Sequence, residues 1–345
     1  MLIDWVTMGC SLDSFSPPDQ AILRAWGDRL CRYCAQTGEV RWESFAWESV
    51  RSDSHQLAVK VGSSEIWIQG SPARAMGDGC AVFGEQGRAL DLIACVSAMA
   101  AHVGAVLGVS MPKHPAAWRV TRIDVTGNLV LGSVTEVKQA LTYLRDCEGG
   151  RYRVSQVQGD TVYWSQRSRL KAGKAYAKGP QLRKQMQRPG YDGRKYSPEE
   201  LEAADRLLRL ELRLGAQFWR ERSGVSWWAA DADYLVGIWE EYFGRMLGEV
   251  EVFDVEELKE RVLKTAPTEG QGRSAYGTWL MIDSQGWERA RSAHSSRTWY
   301  RNLKILRESG LGDADLAAGQ VVPLRRPKLL ECRLVNSWDE LRKVV

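Results

Sequence analysis

Three short segments of this 345-residue chain set ionisable side chains at alternate positions: Arg122-x-Asp124, Lys174-x-Tyr176-x-Lys178 and Arg209-x-Glu211-x-Arg213. Alternation puts each set on one side of an extended strand whose other side is apolar. The residue types suit phosphoryl transfer. Asp124 and Glu211 are hard oxygen donors for magnesium or manganese, which would polarise a phosphodiester oxygen. Tyr176 is a nucleophile for phosphorus, and a phenol with an ordinary pKa of about 10 needs a nearby cation or metal to become reactive. Lys174 and Lys178, two residues to either side on the same face, would favour phenolate or hold phosphate. Arg122, Arg209 and Arg213 would grip the scissile and neighbouring phosphates bidentately. Any one such trio is also the ordinary wet face of a half-buried strand, and periodicity does not say whether the three strands adjoin.

The elements that must position these groups are legible in the pattern. Over 120–126, Arg122, Asp124 and Thr126 face one way and Thr121, Ile123 and Val125 the other. Residues 161–164 and 173–178 form a second extended pair around the basic turn 166–171. Leu208, Leu210, Leu212 and Leu214 alternate with Arg209, Glu211 and Arg213, so a strand starts near Leu208 despite its helix-forming residues. The helix announced by Ser197, Pro198 and Glu200 therefore breaks near Leu207. Upstream, 56–61 and 64–69 with Gly62 as the bend predict a hairpin, followed by a helix around 90–107. The stretch 92–111 has no charge, but its Ala, Gly and Ser content suits a buried helix better than a membrane span. Ser133 and Glu136 form a capping box ahead of the stripe Val137, Ala140, Leu141 and Leu144. Beyond residue 218 the pattern turns helical, over 233–247, 255–263 and once or twice within 287–308. The fold class is α+β, a largely antiparallel sheet flanked by helices, with domains over 1–218 and, mostly helical, 219–345.

Composition narrows the partners. The formal charge is only +4, yet 151–195 holds twelve Lys or Arg against two acidic residues, which leaves a net −6 for the rest. That concentration fits a surface that meets phosphates, or a solvated basic loop. An apolar fraction of 44% with 15 Trp excludes a disordered chain and implies packed layers or stacking surfaces. The seven cysteines form no repeated framework, and Cys31-x-x-Cys34 has no second pair at zinc-ribbon spacing, so reduced thiols of a cytosolic protein are expected. Residues 1–10 lack a basic region and carry Asp4 within their apolar run, unlike a secretory signal.

The motifs, in order, are Gly70-Ser-Pro-Ala-Arg74, Val82-Phe-Gly84, Thr121-Arg-Ile-Asp-Val-Thr126, Thr161-Val-Tyr-Trp164, Ser165-Gln-Arg-Ser-Arg169, Lys174-Ala-Tyr-Ala-Lys178, Leu208-Arg-Leu-Glu-Leu-Arg213, Ser296-Arg-Thr-Trp-Tyr-Arg301 and Val321-Val-Pro-Leu324. This series resembles the replication initiators of filamentous phages, the gene II protein family, related to the rolling-circle HUH endonucleases. The resemblance spans nearly the whole chain. It implies an HUH-like sheet and an enzyme that nicks one strand of phage replicative-form DNA at the origin. Such an enzyme stays joined to the new 5′ end through a tyrosine and later closes the displaced circle. The tyrosine falls on Tyr176, its accompanying lysine on Lys178, the Arg-Ile-Asp strand on Arg122 to Asp124 and the acidic strand on Leu210-Glu211. A Mg2+ or Mn2+ cofactor, single-stranded DNA, the host replication helicase and polymerase as partners, no membrane, and the host bacterial cytoplasm as location are implied with it.

Two departures stand out. The paired histidines of the wider HUH group are absent, since His55, His102, His114 and His294 are scattered. Cys80-Ala81 occupies the place where the family commonly has His-Asn, which leaves His55 as a candidate third metal ligand or a structural histidine. Tyr163 is the alternative nucleophile. A non-catalytic origin-binding protein, a plasmid-type initiator and a transposase remain open as alternatives. Within 287–308, Trp299, Leu303 and Leu306 share one helix side, flanked by Arg297, Arg301 and Lys304. That cationic flank is expected to contact duplex phosphates outside the nick site, or to be an ordinary amphipathic surface.

Overall fold

The computed structural model describes residues 1–52, 55–76, 82–85, 87–145, 161–191, 193–247, 255–311, 316 and 333–344. In chain order the elements are β1 (Leu2–Ser11), α1 (Pro17–Ala25), β2 (Arg29–Tyr33), β3 (Val40–Phe45), β4 (Glu48–Ser52), β5 (His55–Val61), β6 (Glu65–Gly70) and α2 (Pro72–Met76). They continue with α3 (Leu92–Leu107), β7 (Trp118–Val130), α4 (Val134–Arg145), β8 (Thr161–Trp164), β9 (Lys171–Ala177), α5 (Lys178–Met186), α6 (Pro198–Ala204) and β10 (Leu207–Leu214). The last are α7 (Ala216–Glu221), α8 (Ala232–Leu247), α9 (Val255–Thr265), α10 (Glu269–Gln285), α11 (Trp287–Ser292), α12 (Ser296–Glu308) and α13 (Trp338–Lys343).

Eight strands form one sheet in the order β4-β5-β6-β1-β7-β10-β9-β8, with every described pairing antiparallel; β2 and β3 form a separate ribbon. The α+β class expected from the sequence is the one observed. The hairpin at Gly62 forms as β5–β6, and Ser197 with Glu200 makes a full capping box at α6. At α4 Ser133 Oγ accepts from the Glu136 amide, and the Glu136 carboxylate accepts from the amide of Gly132.

Alternation along each strand sorts the sheet into two faces. One is apolar and meets α3, α4 and α8 in a single core that includes Val125, Leu210, Leu212, Ala175, Met99, Leu141 and Phe243. The stretch 92–111 holds the 16-residue helix α3, and no described helix is long and apolar enough to cross a membrane. A second core lies within α9 to α12 around Trp279, Trp299 and Leu303. The third joins Val82 and Phe83 to Leu182, Leu207, Val335 and Leu341. The chain's end thereby returns to the sheet, where Leu334 bridges Leu129 and the Val335 amide donates to the Asn128 carbonyl.

The approach of α8 to the sheet depends on one missing side chain. The Trp239 indole lies over Gly127 and donates through Nε1 to the Leu210 carbonyl at 3.2 Å. A β-carbon at Gly127 would stand 2.8 Å from Trp239 and 2.9 Å from Leu334. Gly127→Val should therefore push α8 off the sheet and cost about 1–3 kcal/mol. Urea unfolding monitored by tryptophan fluorescence would check this; an unchanged midpoint would show that α8 and the 334 segment yield freely.

Candidate active site

The three polar segments, far apart in sequence, lie on adjacent strands. Antiparallel pairing of β7 with β10 sets Asp124 opposite Arg213, Thr126 opposite Glu211 and Asn128 opposite Arg209. Pairing of β10 with β9 sets Arg209 opposite Tyr176 and Glu211 opposite Lys174. On the outer strand β8, Tyr163 stands opposite Lys174 and Thr161 opposite Tyr176. Residues directly opposite on one face are side-chain neighbours, so strand alternation becomes a continuous polar patch.

Within it, the groups are tightly partnered. Tyr176 Oη donates to Glu211 Oε1 at 2.5 Å, and Lys174 Nζ donates to Glu211 Oε2 at 3.0 Å. Lys174 Nζ also lies 4.1 Å from the Tyr176 ring centre. Arg122 clamps Asp124 with two bonds, Nε to Oδ1 at 2.8 Å and Nη2 to Oδ2 at 2.5 Å, and its guanidinium sits 5.4 Å over the Trp5 ring. Arg213 donates to the Gln166 and Ser168 carbonyls, which fixes the turn between β8 and β9. Burial raises the Asp124 pKa against the opposing pull of Arg122. Burial, reinforced by the Glu211 charge, holds the Tyr176 phenol well above its ordinary 10. The phenol is therefore neutral and stays so through the physiological range.

Several sequence expectations shift. Lys178 is not a strand residue on the Tyr176 face, because β9 ends at Ala177 and Lys178 opens α5. It is buried, 6.0 Å from the Tyr176 ring centre, and desolvation with the neighbouring Arg209 charge drives its pKa well below 10.5. Arg209 does not grip phosphate. Its side chain is fully buried and donates to Asn128 Oδ1 at 2.9 Å, to Asp4 Oδ2 at 3.3 Å and to the Val82 carbonyl. His55 opens β5, with β6 and β1 standing between that strand and β7. Three strand spacings amount to about 14 Å, so the backbone does not bring His55 beside Asp124; its side chain lies outside the described residues, as do Cys80 and Ala81. Four of the ten described cations of the basic segment meet carboxylates: Lys171 meets Glu241, Lys174 meets Glu211, Arg183 meets Asp205 and Arg194 meets Glu200. Residues 151–160 and the 321–324 motif also lie outside the described residues.

Asp4 and Asn128 are the site residues that motif reading missed. Asp4 is the extra residue of a β-bulge, since Ile3 pairs with Val125 and Trp5 with Asp124. A bulge re-aims a side chain, and this one presents Asp4 to Arg209. The available signal was an acid inside an apolar strand.

A cavity of 260 Å³ opens on the patch, lined by Arg122, Asp124, Tyr163, Gln166, Lys174, Glu211 and Arg213 among others. Three cations against two carboxylates leave it a net positive charge, suited to a phosphodiester. Tyr176 lies beside Glu211, 5% exposed and outside the lining. Two carboxylates on one cavity wall also fit magnesium or manganese, which bind through one or two carboxylates while water and phosphate complete the shell. Among the described residues no three His, Cys, Asp or Glu are grouped, so such an ion would rely on those outside oxygens.

A family model for the N-terminal region of the phage replication-associated protein of the gene II type matches residues 2–230. None of the curated proteins compared matches the chain. A solved structure, the rolling circle replication initiator protein from Geobacillus stearothermophilus, is similar at 14% identity, covering 62% of this chain and 73% of that one with a TM-score of 0.29. A likeness that loose supports no inference about site or activity.

Lys178 gives a test of the burial. A lysine whose folded pKa is depressed destabilises the fold as pH falls below its unfolded value of about 10.5, with the full penalty reached below the folded pKa. Lys178→Met should therefore be more stable than the parent at pH 7, and the difference should shrink toward pH 10.5. Parallel denaturant titrations would measure it, and a variant less stable at pH 7 would mean that the ammonium is stabilised where it sits.

Proposed function

This chain belongs to the phage rolling-circle replication initiator family, the gene II type, by its match over residues 2–230, and we propose that it nicks and rejoins one DNA strand at a phage origin through a covalent 5′-phosphotyrosine on Tyr176. The observation that carries this reading is the Tyr176–Glu211 hydrogen bond at 2.5 Å beside a cavity furnished with Arg122, Lys174 and Arg213. The proposed division of labour keeps a nicking-joining part within 1–218 and a DNA-docking role for the helices beyond.

Single-stranded DNA enters the cavity with its scissile phosphate against Lys174 and Arg213. Glu211 Oε1, already the acceptor of the phenol hydrogen bond, takes the proton as Tyr176 Oη attacks phosphorus. The Oη–P bond forms, the P–O3′ bond breaks, and the departing O3′ takes up a proton from solvent, while Glu211 keeps the phenol proton. Rejoining reverses these steps with the 3′ hydroxyl as nucleophile. Asp124 and Glu211 would hold the divalent ion, exchanging part of their contact with Arg122 and Lys174; bound there, it would polarise the phosphoryl oxygens. Lys178, 6.0 Å from the ring centre, has a pKa lowered by burial and by the Arg209 charge, a direction that suits a proton relay.

One observation favours a second reading. Tyr163, not Tyr176, lines the cavity, so a phosphate held there meets Tyr163 directly. Tyr176→Phe and Tyr163→Phe, incubated with a labelled single-stranded origin oligonucleotide, separate the two. The first should lower covalent adduct by on the order of 1,000-fold or more, the second by far less. Peptide mapping of the parent adduct identifies the residue directly. No adduct in the parent under any divalent ion would leave a DNA-binding protein without nicking activity.

The carboxylates make a separate prediction. Asp124→Asn and Glu211→Gln keep shape and remove ligand charge, so the magnesium or manganese concentration for half-maximal cleavage should rise about 10- to 100-fold. Cleavage with parental metal midpoints in both variants would reject the ligand role, leaving Asp124 to Arg122 and Glu211 to Lys174 and Tyr176.

A further inference from the structure

The α9–α12 bundle has its own core, and the nicking chemistry makes no use of it. Its last two helices have a particular connection. The six-residue α11 joins α12 through the three-residue turn Ala293-His294-Ser295. This turn is pinned on both sides. His294 Nδ1 donates to the Ala290 carbonyl at 2.8 Å, and Nε2 contacts Thr278 Oγ1 of α10 at 3.1 Å. Ser295 Oγ caps α12 by accepting from the Thr298 amide. The fully buried Asn302 reaches back to α10, donating to Thr278 Oγ1 at 2.8 Å and to Ser274 Oγ at 3.0 Å. Trp287 of α11 packs edge-on against Trp299 of α12, with ring centres 5.0 Å apart.

These contacts fix the rotation of α12. Trp299, Asn302, Leu303 and Leu306 turn inward, while Arg297, Tyr300, Arg301 and Lys304 form the exposed row, with Tyr300 60% exposed. Exposed Arg289 and Arg291 lie on α11. Among the described residues Arg289, Arg291 and Arg297 have no carboxylate partner, and Arg301 bonds only to Ser274 and Asn302. The Lys304–Glu308 pair, 3.6 Å apart and solvent-exposed, is weak. The surface is thus a rigid helix face carrying unneutralised guanidinium groups and a bare aromatic ring. Its complement is an anionic partner with flat, hydrogen-bonding edges.

We propose that α11, the turn and α12 form a helix-turn-helix that reads duplex DNA sequence, with α12 lying in the major groove. From Arg297 to Lys304 the row rises about 10 Å, the height of about three base pairs at 3.4 Å each. Arg297 and Arg301 are placed for bidentate contact with guanine edges, Tyr300 for base contact between them, and Arg289 and Arg291 for the phosphate backbone. This deepens the docking role proposed above and rests on it, replacing a general attraction to phosphates with recognition of particular bases.

The test is selection from a random duplex pool by the full chain, followed by affinity measurement on the enriched duplex and on an unrelated one. The parent should enrich a motif. R297Q and R301Q should each lose discrimination at one position by on the order of 10- to 100-fold, while the pair R289Q and R291Q should weaken both duplexes alike. All four side chains are exposed, and thermal melting confirms folding. Salt-dependent duplex binding with no enriched motif, or a motif unchanged in R297Q and R301Q, would overturn the reading role and leave docking intact. Absence of any duplex binding by the parent would overturn both. Adduct formation on single-stranded substrate, retained throughout, keeps either result separate from the nicking chemistry.

Discussion

A single buried guanidinium organises the polar face of this sheet. Removing a charge from water costs several kcal/mol even after relaxation, and Arg209 is fully buried. It is tolerable only because its partners are assembled from all over the chain: Asp4 from the β1 bulge, Asn128 from β7 and a carbonyl from the Val82 segment. Asn128 is itself held by the Val82 carbonyl and, through its backbone, by Val335 near the end of the chain. Satisfying this one side chain therefore sets the bulge, the Val82 segment and the return of residues 333–336 together. The consequence reaches the site, because Tyr176 stands opposite Arg209 across the β9–β10 ladder.

The same burial moves two neighbouring groups in opposite senses. Desolvation disfavours whichever form is charged, so Tyr176 is pushed toward retaining its proton and Lys178 toward losing one. A neutral phenol and an amine biased toward losing its proton then flank a guanidinium whose charge is balanced by Asp4 and Glu211. Pairs of titratable groups driven apart by a shared environment are the usual raw material of acid–base chemistry. Toward the solvent the balance changes, and Arg122, Lys174 and Arg213 exceed Asp124 and Glu211 by one charge around the cavity. The gradient runs from a closed, neutral interior to an open, positive mouth. That order suits a DNA strand that arrives carrying its own negative charge.

The sheet keeps its two tasks on separate faces. Its apolar side is saturated by α3, α4 and α8, with Trp239 seated over Gly127, so the polar side is free to hold chemistry without carrying the main core. The α9–α12 bundle adds a core of its own around Trp299. Its surface row can therefore vary without disturbing the polar face of the sheet.

The sequence by itself determined the local alternations and the stops. The Leu-Arg-Leu-Glu-Leu-Arg run became β10 because side-chain period decides which face is apolar, and that period overrode helix-forming composition. Gly62, Ser197 and the chargeless 92–111 stretch were equally readable, being turn, cap and burial signals carried by neighbouring residues. Helix α10 escaped notice because Gly270, Gly272 and Gly277 weaken helix propensity, and only packing against α9 and α12 secures it. The β2–β3 ribbon buries no face, and its Leu30, Tyr33, Val40 and Trp42 stay exposed. What tertiary structure alone decided was which polar residues meet water. Arg209 and Arg213 share one alternating run, yet one is sealed beneath Val82 while the other lines the cavity. Lys178 falls one residue past the strand's end and is enclosed by the helix it begins. Periodicity assigns a residue to a face; the segments that cover that face, and the distant acids that neutralise it, are set by pairings from 35 to 205 residues apart, to which no local pattern is sensitive.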